Sequence, residues 1–170
     1  MSGVLVVMEQ RAGAWHRMSW ETLAAGQQLA AQTGLKVYGA VVGQGIGALA
    51  EELARKKLDH VHAVEHPLLA TYTADGFTAA LEQLIRKFNP SIVLFPHTYQ
   101  VRDFAPKLAT RFNQVLVSDA VGFRVESNTP IFGRCVRGQS SLPPRARRCT
   151  KEALLTCVQW RISASMRSAG

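Results

Sequence analysis

The sequence predicts an α/β fold: a three-layer, mainly parallel Rossmann-like sheet with helices on both faces and a short antiparallel extension. Three observations predict it. Short, continuously apolar runs (Val4–Met8, Ile92–Phe95) have the length and branched composition of strands buried on both faces. Stretches with four-residue apolar spacing follow them, as in Phe104, Leu108 and Phe112. The two patterns alternate at short intervals, as parallel sheets with crossover helices require.

Val4–Met8 is the first strand, and Glu9 and Gln10 lie at its C-terminal edge. Arg11 to Arg17 contains Gly13 and reads as a loop, with Ser19 as the N-cap of the helix that follows. Leu23, Ala24, Gln27, Ala30 and Ala31 give this helix a face of small residues, and Gly34 ends it. Lys36–Val42 is the second strand. It runs into Gly43-Gln44-Gly45-Ile46-Gly47 before a helix over Ala48–Lys57. A glycine loop there can present backbone N–H groups to phosphate, but it lacks the Lys-Ser/Thr ending of a P-loop and the full G-x-G-x-x-G spacing. It reads as a tight turn. A third strand covers Val61–Val64, and Thr73 or Asp75 caps a helix whose stripe is Phe77, Ala80, Leu81, Leu84, Ile85 and Phe88.

The fourth strand, Ile92–Phe95, leads into Pro96-His97-Thr98-Tyr99-Gln100 at the C-terminal edge of the sheet, where open α/β sheets take their ligands. Pro106 places the start of the next helix near Arg102 or Asp103, since proline is tolerated in a first turn. Val115–Val117 is the next strand and ends at Ser118-Asp119. Ala120–Val125 and Ile131–Val136 form a hairpin or meander around Asn128 and Pro130. Residues 1–139 thus form one domain. Residues 140–170 read as a basic, Pro/Arg-rich tail without a native-like fold, with one short helix or strand over Lys151–Arg161.

The net charge of +8 is unevenly spread: fourteen Lys/Arg against eleven Asp/Glu up to residue 139, and six against one beyond it. A tail of this kind attracts polyanions generally, but no recognition helix, zinc-finger spacing or RNP-like strand accompanies it, so no specific nucleic acid is expected. No run is long enough to insert in a membrane, and the opening residues carry no signal-peptide pattern; the expected location is cytoplasmic. Cys135, Cys149 and Cys157 have neither zinc-site nor disulfide spacing and read as reduced thiols. His16, His60, His62 and His66 specify no third metal ligand between them, and Ser118-Asp119 is not a nucleophile elbow. No metal and no catalytic residue is expected. The candidate ligand-edge residues are Glu9, His97, Thr98, Tyr99, Arg102, Asp103, Ser118 and Asp119. His97 can donate to phosphate or carbonyl, Tyr99 can stack on a ring, and Arg102 can face an anion or pair with Asp103. Glu9 approaches His97 if their strands are neighbours.

Val4-Leu5-Val6-Val7-Met8-Glu9, Val41-Val42-Gly43, the run from Thr98 to Phe112 and Ser118-Asp119 together resemble the N-terminal domain of the electron transfer flavoprotein alpha subunit. The central match is to T-x-x-G-[RK]-D-x-x-P-[RK]-[LV]-A-x-x-[LF], with Val101 in place of the glycine. Cys135 likewise stands where the family has a proline after Arg134. The resemblance covers roughly residues 3–139. It implies a heterodimer with a beta subunit, passing electrons from acyl-CoA or related dehydrogenases to a quinone-linked acceptor. FAD is the cofactor of the family complex, and a separate C-terminal domain carries most of its contacts. No segment here resembles that domain. The expectation is therefore a truncated, alpha-subunit-like docking domain that binds no FAD alone. An adenine-nucleotide-binding α/β domain, or an interaction domain without ligand, remain the alternatives.

Overall fold

The computed structural model describes residues 3–126, 129–136, 139–140 and 155–159. Its framework is an eight-stranded sheet of order β5-β4-β1-β6-β10-β7-β8-β9. Strand β1 (Gly3–Met8) lies between β4 (Lys36–Gly43) and β6 (Ile92–Pro96), parallel to both, and β5 (His60–Glu65) extends the parallel half beyond β4. Between β1 and α1 (Arg17–Thr33) the chain forms a small hairpin, β2 (Gln10–Arg11) with β3 (Ala14–Trp15), where a loop was expected.

Every residue of β1 is buried, and its side chains alternate between two cores. Val4, Val6 and Met8 join Leu23, Leu29, Leu53, Ile92 and Leu94 beneath α1 and α2 (Gly47–Ala54). Leu5 and Val7 join Val93, Phe95 and the stripes of α3 (Ala74–Phe88) and α4 (Tyr99–Arg111) on the opposite face. The strand period of two thus supplies both outer layers from one apolar run. Gly26 lets α1 lie close to the sheet: a Cβ there would stand 2.4 Å from Val6 Cγ2. Gly34 ends α1 at φ 67°, the left-handed C-cap its position predicts. Between the outer helices, Glu82 of α3 accepts from Arg111 of α4 and from Arg86 of its own helix, and these hydrogen bonds hold its carboxyl below the usual range.

Two helix starts differ from expectation. The N-cap of α1 is His16, whose Nδ1 accepts from Met18 N–H; Ser19 is drawn into the core instead. Helix α4 starts at Tyr99, about two turns before Pro106, because Thr98 Oγ1 accepts from Val101 N–H. Pro106 sits inside the helix with its ring on the exposed side, where the lost backbone bond meets water. Thr73 caps α3 as expected.

The antiparallel part is larger than the short extension expected. β7 runs continuously from Val115 to Glu126 and pairs with β8 (Thr129–Val136), which pairs in turn with β9 (Gln139–Ser140). β10 (Leu155–Gln159) lies between β6 and β7, antiparallel to each: Leu155–Gln159 face Pro96–Ile92 on one side and Ala120–Val115 on the other. This strand falls within the segment expected to hold one short element. The remainder of the expected tail, including Cys149 and the Pro/Arg-rich stretch, lies outside the described residues.

Because β10 completes the hydrogen bonding of both neighbours, the chain depends on it. Ending the chain after Ser140, or making Val158→Pro in the full chain, should remove most of the ~5–15 kcal/mol typical of a domain. Urea unfolding followed by circular dichroism checks this, and an unchanged midpoint in both variants refutes it.

Candidate functional site: the C-terminal edge of the sheet

The connections from β1 run outward to β4 and β5, then return to β6 on the other side of β1. The topological switch therefore falls between the C-terminal ends of β1 and β6, the usual ligand crevice of an open α/β sheet. Glu9 and Thr98 stand at those two ends, 5% and 7% exposed. The Thr98 hydroxyl donates to Glu9 Oε2 across the crevice. Glu9 Oε1 accepts from Arg11 Nε at 3.3 Å. Its backbone N–H donates to Ser19 Oγ at 2.8 Å, and the Ser19 hydroxyl returns a bond to the Glu9 carbonyl at 3.0 Å. The crevice is thus closed by the chain's own side chains, and its carboxylate has both a neutral donor and a guanidinium.

The hairpin β2–β3 fixes Arg11 above this closure. Gln10 Nε2 donates to the Val42 carbonyl at 3.3 Å, Gly13 N–H donates to Gln10 Oε1 at 3.2 Å, and Trp15 Nε1 donates to Glu52 Oε2 at 2.8 Å. The glycine loop after β4 is likewise occupied: Gly45, at φ 64°, donates its N–H to Glu65 Oε1 at 2.6 Å. An acidic side chain stands where a phosphate would be cradled, which agrees with the tight-turn reading of that loop.

Two clefts flank Arg11 and Tyr99. The larger, about 690 Å³, is walled by the hairpin, by Leu69–Tyr72 and by the start of α4. There the Tyr72 hydroxyl donates to Asp103 Oδ2 at 2.8 Å and reaches the Gln100 carbonyl at 3.1 Å. Burial, then the hydrogen bond and charge of Asp103, push the Tyr72 phenol above its ordinary value. The smaller cleft, about 360 Å³, is lined by Arg11, His16, Met18, His97, Thr98, Tyr99 and Arg102. His97 Nε2 lies 3.1 Å from Asp119 Oδ1. Asp119 reaches it from inside β7, at φ 56°, where the strand's register with β10 shifts opposite Thr156. An aspartate tolerates this left-handed backbone, and the bulge re-aims its side chain.

The expected site residues therefore gather at one edge but pair differently. Glu9 meets Thr98 and not His97, which pairs with Asp119. Asp103 serves Tyr72 and leaves Arg102 to lie 5.9 Å from the Tyr99 ring centroid. Tyr99 is 86% exposed. Ser118 lies half-buried beside the bulge. Arg11, His16, Ser19 and Tyr72 are the members the expected set lacks. Only the i, i+2 proximity of Arg11 to Glu9 was visible in the sequence. The others arrive through the start of α1 and the loop before α3, whose placement no local pattern fixes.

His60 and His62, which share a face of β5, lie against aromatic rings: His60 is stacked 6.2 Å from Tyr38, and His62 is 4.0 Å from Phe88. Burial, followed by the charges of His60 and Lys87, lowers the His62 pKa. Among the described residues no group of three or more His, Cys, Asp or Glu is arranged to hold a metal, and no helix is long and apolar enough to cross a membrane. Carboxylates occupy this edge at three points: Glu9 closes the crevice between β1 and β6, Glu65 takes the Gly45 N–H, and Asp103 stands in the larger cleft.

Thr98 joins two functions, capping α4 and partnering a buried carboxylate. Thr98→Val should cost about 2–4 kcal/mol, from a cap worth ~1 and a hydrogen bond to a charged group worth ~1.5–3. Thr98→Ser should recover most of it, and chemical denaturation of the pair provides the comparison. The raised Tyr72 value means that the native state holds this proton more tightly than the unfolded chain. Its contribution to stability is complete below about pH 10 and is lost as pH rises through the native value. Asp103→Asn should bring the slowest tyrosinate titration to lower pH in an ultraviolet absorbance titration; an unchanged curve would contradict the assignment.

Residues 4–143 match the electron transfer flavoprotein domain. The electron transfer flavoprotein subunit alpha of Bacillus subtilis is 35% identical over 131 residues, which cover 77% of this chain and 40% of that protein. The subunit alpha of Syntrophomonas wolfei is 32% identical over 142 residues, 84% of this chain and 44% of that protein. A subunit of the lactate dehydrogenase (NAD(+),ferredoxin) of Acetobacterium woodii is 29% identical over 81% of this chain and 34% of its own length. The chain thus spans less than half the length of these relatives. With this match over most of its length, and with subunit alpha relatives above 30% identity, the chain belongs to the electron transfer flavoprotein family, as an alpha-subunit N-terminal domain.

Proposed function

We propose that this chain is the subunit-docking domain of a flavin-dependent electron carrier, that it pairs with a beta-type subunit, and that it does not hold FAD by itself. The family match over residues 4–143 carries this reading. The closed switch crevice supports its second half, since the chain's own carboxylates occupy the positions a flavin dinucleotide's diphosphate would need. In the assembled carrier the flavin supplies the redox chemistry. This chain's residues supply a rigid platform: Glu9, Thr98 and Ser19 lock the sheet edge, and the hairpin and the first turn of α4 present Arg11, Tyr99 and Arg102 above it.

The role is that of a carrier component and not of an enzyme. Dehydrogenases contact it through the complex, as the lactate dehydrogenase subunit among its relatives suggests. A cytoplasmic setting accompanies this reading. Purification with and without a beta-type subunit tests it. A stoichiometric complex by native mass spectrometry, with the chain alone colourless, is the expected result. No complex at micromolar concentrations would overturn the docking role, and flavin absorption bands from the chain alone would overturn the claim about FAD.

A further inference from the structure

The smaller cleft at the sheet edge has a one-sided charge. Arg11 and Arg102, both exposed, stand on it with the imidazoles of His16 and His97. Among the described residues no acidic side chain lines the cleft. Glu9 lies beneath, bonded to Thr98 and Arg11, Asp119 engages His97, and Asp103 faces Tyr72 in the neighbouring cleft. His16 accepts from Met18 N–H through Nδ1, so a neutral ring carries its proton on Nε2 as a donor. The caps of α1 and α4, His16 and Thr98, both belong to this cleft, and neither helix has an acidic residue in its first turn. The partial positive charge of two helix ends therefore adds to that of two guanidinium groups.

We infer that this cleft, between Arg11 and Arg102, is a binding site for a phosphate group, as free phosphate or as the end of a small organic phosphate. Arg102 and Arg11 supply the charge-assisted donors, His16 a third N–H, and the exposed ring of Tyr99 a flat rim for whatever carries the phosphate. Such a site differs from a dinucleotide crevice: it lies beside the closed switch point, and its volume suits a small ligand. All of its groups belong to this chain, so the chain alone suffices to test it.

Titration of the full chain with inorganic phosphate at low ionic strength, followed by amide NMR, tests the assignment. The expected result is saturable shifts at Arg17–Ser19 and Tyr99–Arg102, with an apparent Kd on the order of 1 mM or below. Arg102→Gln and Arg11→Gln should each weaken binding about tenfold, the loss of one charge-assisted hydrogen bond, while Lys107→Gln on the outer side of α4 leaves it unchanged. Amide spectra of the unliganded variants verify that each is folded, and Arg11→Lys keeps the charge should Arg11→Gln disturb Glu9. Phenyl phosphate binding more tightly than phosphate would identify an organic phosphate as the ligand; equal affinity would identify the free anion. Shifts that match those of sodium chloride at equal ionic strength, or saturable binding that both arginine variants leave intact, would overturn the proposal.

Discussion

The structure depends on the burial of β1 on both faces. A six-residue strand with no exposed side chain must be paired along both edges and covered above and below. β4 and β6 meet the first requirement, the two helical layers the second. The same burial sets the character of the sheet's C-terminal edge. Continuing one residue beyond β1, the chain places Glu9 in a site that is still dry, and an ionised carboxylate there requires partners. Thr98, Arg11 and the backbone-locking Ser19 surround it. What would be an open crevice between two strand ends is consequently a hydrogen-bonded seam.

This seam sets the edge apart from the open crevice of a dinucleotide-binding sheet. Ligand recognition at a switch point needs free backbone donors and a gap; here Thr98 spends its hydroxyl on Glu9 and its oxygen on Val101 N–H. Gly45 gives its N–H to Glu65. With the interior edge satisfied, the remaining polar chemistry moves outward, onto the hairpin and the start of α4. Arg11 and Arg102 stand there with their nearest acids below or beside them: Glu9 bonded to Arg11, Asp119 to His97 and Asp103 to Tyr72.

Particular elements show why some of this was readable and some was not. The strands of β1, β4 and β6 were legible because a strand buried on both faces has a composition no exposed segment shares. The α3 stripe and its Thr73 cap were legible because helix periodicity and capping are local. The start of α4 was misplaced: Pro106 is a local signal, and the capping bond of Thr98 outweighed it at an exposed position. Ser19 looked like an N-cap, yet its hydroxyl was needed ten residues back, at Glu9. Sequence reasoning assigns a polar residue to its nearest backbone partner and cannot see a competing one across the core.

The sequence by itself determined the α/β class, the alternation of main strands and helices from β1 to β7, the family resemblance, and the edge at which Glu9, His97, Thr98, Tyr99 and Arg102 collect. These follow from local periodicity, from strand burial and from the rule that crossover connections put successive strand ends on one side. Only the tertiary structure decided the partners. It set Glu9 on Thr98, His97 on Asp119 and Asp103 on Tyr72, and it placed β10 between β6 and β7. The physical reason is the range of the interactions: pairing across strands and between helices joins residues tens of positions apart, and it is settled by which buried group most needs a partner.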